Sequence, residues 1–108
     1  MITIRIHWKD EPFTLTADGH ANAKRNELDH DLVCCQVATI VQTLGISCAS
    51  LPDVNTRYRA SSGSAEIVVT NTEAHWDELV PRFAMAVDGL SVLAAQYPES
   101  VSLIVSEQ

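Results

Sequence analysis

The sequence predicts an α+β two-layer sandwich: a mixed five-stranded sheet with two helices on one face, in the order β-β-α-β-β-α-β. Three observations lead to this prediction. Apolar and polar residues alternate at the N-terminus, which is typical of a strand. Two later segments repeat apolar residues at helical spacing, and further short segments are rich in β-branched residues. With 108 residues, of which 46% are hydrophobic and 19% charged, the chain is expected to form a single domain, residues 1–108.

The first two strands are predicted to form a hairpin. Apolar residues recur with period two from Ile2 to Trp8, which indicates a strand with one buried face. Lys9 to Pro12 has the composition of a turn, and Phe13 to Ala17 follows as the second strand. The next segment, Asn22 to His30, is polar and has no apolar period, so we expect an exposed loop there.

The first helix is predicted to begin after Asp31 and to end at Gly45. Asp31 is a favourable N-cap residue, and a glycine commonly follows the last helical turn. The apolar stripe between them consists of Val33, Val37, Ile40 and Leu44. These bounds place Cys34 in the first turn of the helix.

Three further strands and a second helix complete the prediction. Val54 to Ala60 and Ala65 to Thr70 are joined by a turn in which Gly63 can adopt a positive φ, and Val101 to Val105 is the last strand. The second helix begins near Asn71 or Thr72 and ends before Pro98. Its predicted apolar face consists of Trp76, Leu79, Val80, Phe83, Val87, Leu90 and Tyr97.

The charge of the chain restricts its partners. Seven Lys and Arg residues against fourteen Asp and Glu residues give a net charge of -7. Such a charge repels phosphate backbones and attracts basic partners, so nucleic acid is not expected as a direct ligand. The longest mainly apolar run, Phe83 to Ala95, is interrupted by Asp88, so no membrane span is expected. The N-terminus has no signal-peptide pattern, which predicts a cytoplasmic protein.

Residues suited to catalysis crowd into one short segment: His20, Asp29, His30, Asp31, Cys34 and Cys35. In the predicted fold, Cys34 could act as a nucleophile and His20 as its base. A helix N-terminus contributes about 0.3–1 kcal/mol. At about 1.36 kcal/mol per pKa unit, this lowers a thiol pKa by less than one unit, so an imidazole must contact Cys34. His20 is the better candidate, because Gly19 and Ala21 flank it and leave room for a substrate chain, and His30 ranks second.

Several alternatives stay open at this level. Asp31 either caps the helix or holds the tautomer of the histidine, as the third member of a catalytic triad does. Cys34 could be a small core residue, which is the interpretation adopted for Cys35 and Cys48. A zinc site is disfavoured because adjacent cysteines on a helix point about 100° apart. No metal and no cofactor is predicted.

Gly19-His20-Ala21, the polar segment after it, and Asp31-Leu32-Val33-Cys34 together resemble the signature of the ribosomal-processing cysteine protease family, known as Prp. The resemblance extends over the whole chain. It implies a homodimeric α+β protein in which His20 and Cys34 form the catalytic dyad and Asp31 is the supporting acid. It also implies the substrate: the N-terminal extension of a basic large-subunit ribosomal protein, cleaved after an aromatic residue.

After the cysteine the family favours small residues and then Ser, where this chain has Gln36 and Ala38. We expect both residues to lie near the substrate and to affect substrate preference. The resulting hypothesis is a cysteine endopeptidase in which N–H groups at the helix start stabilise the oxyanion. The alternative is a non-catalytic module on the same scaffold that binds a basic ribosomal partner or peptide.

Overall fold

The computed structural model describes residues 1–20 and 27–107, and the side chains within these ranges except those of residues 27–31 and 107. The elements follow in the order β-β-α-β-β-α-β, which confirms the predicted fold class. Their bounds are β1 Ile2–Trp8, β2 Phe13–Gly19, α1 Glu27–Ala49, β3 Asn55–Ser61, β4 Ser64–Thr70, α2 Trp76–Gln96 and β5 Val101–Glu107. A short 3-10 helix, Thr72–His75, leads into α2.

The five strands form one mixed sheet in the order β3-β4-β2-β1-β5. β1 and β2 pair antiparallel, with Ile4 opposite Ala17, and β3 and β4 pair antiparallel, with Tyr58 opposite Ile67. β5 lies parallel to β1, which makes the sheet mixed. Both predicted hairpins are therefore confirmed, and β3 and β5 form the two edges of the sheet.

Both helices pack on the same face of the sheet. The period-two residues of β1 are buried there, together with the apolar stripes of α1 and α2. Phe13 of β2 is fully buried, and its ring meets those of Trp76 and Phe83 edge to face, with centroids 5.0 and 5.2 Å away. On α1, Val41 occupies a buried position of the stripe, whereas Ile40 is only partly buried.

Helix α1 extends beyond its predicted bounds at both ends. It begins at Glu27, so residues 27–30, predicted as a loop, are helical, and Asp31 is not the N-cap. It also continues past Gly45 to Ala49. The ring of Tyr58 packs against Gly45, where a Cβ would lie 3.1 Å from Cγ of Tyr58. This glycine therefore permits close packing and does not end the helix. Residues 22–26 of the predicted loop lie outside the described residues.

Helix α1 is also more apolar than expected. The stretch Leu32–Ala49 has the length and composition to cross a membrane, so the prediction that the longest apolar run lies in Phe83 to Ala95 is wrong. However, 33% of this stretch is buried inside the protein. Val33, Val37 and Val41 pack in the core, so its apolar residues include one face of a core helix.

Candidate active site

Cys34 lies in the third turn of α1, seven residues after the first helical residue, Glu27. Its side chain is partly buried. The N–H groups that a helix leaves without intrahelical acceptors belong to its first four residues. The prediction that Cys34 lies in the first turn, with the helix start stabilising an oxyanion, is therefore wrong. Any oxyanion donor must come from another part of the site.

Asp31 lies inside α1, about one turn before Cys34. The role of helix cap is excluded, because the helix begins four residues before Asp31. The other role, that of supporting acid, stays a prediction, since the side chain of Asp31 is not among those described. Asp29 and His30 also belong to the first turns of α1, not to a loop.

His20 directly follows the last residue of β2, Gly19, and is exposed. Gly19 has a φ of +103°, and a Cβ at this position would overlap the carbonyl oxygen of Met1. The Gly19 N–H donates to the carbonyl oxygen of Gly63 at 2.9 Å. The amino group of Met1 donates to the carbonyl oxygen of His20 at 2.6 Å. These contacts hold the backbone of His20 at the end of the strand.

Cys34 and His20 line one cavity of about 310 Å³, which is bounded by α1, the end of β2 and the β3–β4 turn. Gly19 also lines it. Ala38 and Gln42 follow Cys34 at steps of four residues on α1, so all three occupy one side of the helix and border the cavity. The cavity thus brings together four of the predicted site residues: Gly19, His20, Cys34 and Ala38. The cysteine and the histidine border the same cavity. The direct contact between the imidazole and the thiol, which the protease hypothesis requires, stays a prediction.

Apolar side chains and hydroxyl groups dominate the wall of this cavity. The apolar residues are Ile2, Ala17, Val37, Val41, Ala60 and Ala65. The hydroxyl groups belong to Tyr58, Ser61, Ser62 and Ser64, and the Ser64 hydroxyl donates to Oδ1 of Asp18 at 3.1 Å. Within the described residues, no Asp, Glu, Lys or Arg side chain lines the cavity. The described part of the wall therefore offers apolar contacts and hydroxyl groups to a ligand.

Tyr58 and the β3–β4 turn are parts of this site that sequence reasoning did not identify. The turn was predicted only as a connection, although the positive φ expected at Gly63 is found, at +75°. The turn reaches His20 because β2 and β4 pair antiparallel, with Asp18 opposite Ser64. No local pattern reveals that pairing, because β2 and β4 are far apart in the chain.

Gln36 lies on a different side of α1 from Cys34. A helix turns about 100° per residue, so a residue two positions later points about 200° around the axis. Gln36 borders a groove between α1 and α2 together with Cys35 and Val92. The structure therefore does not bring Gln36 to the cavity of Cys34. Ala21, the remaining predicted substrate contact, lies outside the described residues.

The two other cysteines differ in their environments. Cys35 is exposed, so the prediction that it is a core residue is wrong, whereas Cys48 is fully buried as predicted. Burial raises the pKa of the Cys48 thiol to about 11, and the nearby charge of Arg82 lowers it by less. Cys48 therefore stays a neutral thiol at physiological pH and is unsuited to act as a nucleophile.

Comparison with known families identifies the chain over almost its whole length. The family model for the cysteine protease Prp matches residues 1–102. This range includes both hairpins, both helices and all residues of the cavity. A search of curated protein sequences gives no significant match.

Solved structures share this fold. The essential ribosomal processing protease Prp from S. aureus, in complex with a covalently linked product peptide, gives a TM-score of 0.77 at 22% identity, covering 98% of this chain and 100% of that chain. Its complex with a substrate peptide gives the same values. A protein from Streptococcus mutans gives a TM-score of 0.76 at 22% identity, with 100% and 96% of the chains covered. The family model and the shared fold agree, and the chain belongs to the Prp family of cysteine proteases.

Proposed function

We propose that the protein is an endopeptidase that removes the N-terminal extension of a large-subunit ribosomal protein, with Cys34 as nucleophile and His20 as general base. The observation that carries this proposal is the shared cavity, to which α1 contributes the thiol of Cys34 and the end of β2 contributes the imidazole of His20. The similar S. aureus protein is a ribosomal processing protease that binds a substrate peptide. This likeness supports the same class of substrate here.

The proposed mechanism needs only these two side chains for proton transfer. His20 takes the proton of Cys34, and the thiolate forms a bond to the carbonyl carbon of the scissile peptide. His20 then returns the proton to the leaving amine as the C–N bond breaks, which leaves an acyl-enzyme. A water molecule gives a proton to His20 and attacks the thioester carbonyl. As the C–S bond breaks, the new carboxyl terminus is released and His20 returns the proton to the Cys34 thiolate.

The oxyanion of this reaction needs donors outside the start of α1. The end of β3 and the turn that follows it carry hydroxyl groups that line the cavity, those of Ser61 and Ser62. We expect this turn to supply a hydrogen bond to the developing negative charge. Asp31 keeps the proposed role of orienting the catalytic imidazole.

The peptide itself is proposed to lie between α1 and β3. β3 is an edge strand, so one side of its backbone has no neighbouring strand in the sheet and can pair with an extended peptide. Tyr58, Ala60 and Ser61 of this strand border the cavity. An apolar or aromatic side chain of the substrate suits the uncharged wall there. The net charge of -7 favours association with a basic ribosomal protein.

The test is cleavage of the ribosomal precursor, read by mass spectrometry of the products. The wild type and Cys35→Ala should release the N-terminal extension, and Cys34→Ala should leave the precursor intact. Cys35 is a matched control because it is the adjacent thiol and borders a different groove. Cleavage by Cys34→Ala would exclude Cys34 as the nucleophile. An inert wild type would favour the binding module.

The same proposal includes a cytoplasmic homodimer. Apolar side chains on the outer sides of α1 and α2 support self-association, since Met85, Ile46 and Val92 are 79%, 68% and 55% exposed. Light scattering should give twice the chain mass of 11.8 kDa. Charged substitution of Met85 should shift the mass toward that of one chain.

A further inference from the structure

The imidazole of His20 packs against the bare Cα of Gly63 in the β3–β4 turn. A Cβ on Gly63 would lie 2.5 Å from Nε2 of His20, 2.9 Å from Cε1 and 3.3 Å from Cδ2. The ring therefore occupies the space that any other residue at position 63 would fill. The φ of +75° at Gly63 adds a second reason for glycine, because L-residues with a side chain rarely adopt it.

The same glycine also holds the backbone next to His20. Its carbonyl oxygen accepts the N–H of Gly19 at 2.9 Å. This bond continues the pairing of β2 with β4 beyond Asp18 and Ser64. One residue of the turn thus contacts both the ring of His20 and the strand end that carries it.

This contact matters because His20 is otherwise exposed. A side chain in water samples several rotamers, and holding it in one of them costs conformational entropy. A general base acts efficiently only when its nitrogen is held within hydrogen-bond reach of the proton it takes. A ring packed against Gly63 is confined to the rotamers that keep this contact.

We propose that Gly63 is a positioning residue for the catalytic histidine: its missing side chain gives the His20 ring a fixed resting surface beside the cavity that Cys34 lines. This inference rests on the proposed function, since it gives His20 the role of base. In this proposal the β3–β4 turn, which belongs to the sheet, orients the imidazole of His20.

The test is Gly63→Ala, assayed on the ribosomal precursor. The new methyl group displaces the ring, so kcat should fall about 10- to 100-fold, with KM little changed. Gly89→Ala is the matched control, because its Cβ would meet only the flexible side chain of Ile40, with Cδ1 at 3.2 Å and Cγ1 at 3.8 Å, away from the cavity. That control should keep the kcat of the wild type. If Gly63→Ala does not fold, Gly63→Asn carries the test, since Asn tolerates a positive φ.

A second readout separates positioning from simple damage to the turn. The rate at which iodoacetamide alkylates Cys34 is measured across pH 5 to 9. It is measured in the background that keeps His20 and in the His20→Ala background. Gly63→Ala should reduce alkylation at low pH in the wild-type background and have no further effect in His20→Ala. Equal effects in both backgrounds would show that Gly63 acts independently of the ring and would overturn the proposal.

The outcomes also separate this inference from the proposed function. If the wild type cleaves and Gly63→Ala cleaves with the same kcat, the positioning role is overturned and the protease assignment stands. If the wild type is inert and alkylates Cys34 no faster than Cys35, both are overturned. A fall in kcat together with the loss of low-pH alkylation supports both.

Discussion

Cys34 and Cys35 are adjacent in sequence but border two different grooves of the protein. Cys34 is partly buried and lines the cavity with His20, whereas Cys35 is exposed between α1 and α2. The 100° turn per helical residue separates the two thiols. They therefore offer an internal comparison between a thiol that shares a cavity with an imidazole and an exposed thiol in another groove.

We predict that iodoacetamide below pH 7 modifies Cys34 before Cys35, although Cys35 is the more exposed of the two. The reason is that the thiolate is the reactive species, and an imidazolium stabilises it. His20→Ala should abolish this preference. Peptide mass spectrometry after timed quenching measures the two rates.

Cys48 serves as the buried reference in the same experiment and should stay unmodified in the folded protein. Faster modification of Cys35 than of Cys34 at pH 6 in the wild type would contradict the dyad. An unchanged preference in His20→Ala would assign the activation to another residue.

Acid stability should depend on the contact between Glu11 and Thr72. The carboxylate of Glu11 accepts the backbone N–H of Thr72 at 2.7 Å and its hydroxyl at 3.0 Å. These bonds, the backbone bond first, hold the pKa of Glu11 below its ordinary value of 4.5. The stabilisation is thus complete above pH 4.5 and is lost as the pH falls through the lower pKa of the folded state.

Glu11→Gln should accordingly lower the free energy of unfolding at pH 7, and its difference from the wild type should shrink toward pH 3. Urea denaturation at several pH values measures this difference. Asp88→Asn, an exposed carboxylate on α2, is the control and should follow the wild type. A difference that is independent of pH would show that the charge of Glu11 does not contribute.

Alkaline stability should depend on Cys48. Its pKa is about 11 in the folded protein against an ordinary 9.0, so the folded state retains a proton that the unfolded chain loses. The stabilisation is complete below pH 9 and is lost as the pH rises toward 11. In the wild type this loss lowers the free energy of unfolding by at most about 1.4 kcal/mol per pH unit. Cys48→Ala should not show this decrease. Parallel pH profiles of the two proteins between pH 9 and 11 would contradict it.

Phe13 should be among the residues on which the core depends most. It is fully buried, with Trp76 and Phe83 packed edge to face against its ring. Phe13→Ala should lower the free energy of unfolding by about 3–5 kcal/mol, and Phe13→Leu should cost less because it leaves a smaller cavity. Urea denaturation measures the decrease in the free energy of unfolding for both variants, and their m-values should equal that of the wild type. A loss below about 1 kcal/mol for Phe13→Ala would mean that the site collapses around the missing ring.

Local patterns in the sequence predicted the elements well and the helix ends poorly. The period of two over Ile2 to Trp8 predicted β1 with its observed bounds. The bounds of α1 were wrong because Gly45 resembles a helix end, and only the ring of Tyr58 shows why a glycine is needed there. Residues 27–30 were assigned to a loop because polar residues carry no apolar period, although they are helical.

The sequence by itself determined the order of strands and helices, because apolar periodicity depends on neighbours a few residues apart. It also selected Cys34 and His20 as the residues with suitable chemistry. Only the tertiary structure decided that Ala38 borders their cavity and Gln36 does not, and that Gly63 supports the imidazole. Those contacts join β2, α1 and the β3–β4 turn, and they arise from strand pairing and helix packing between segments far apart in the chain.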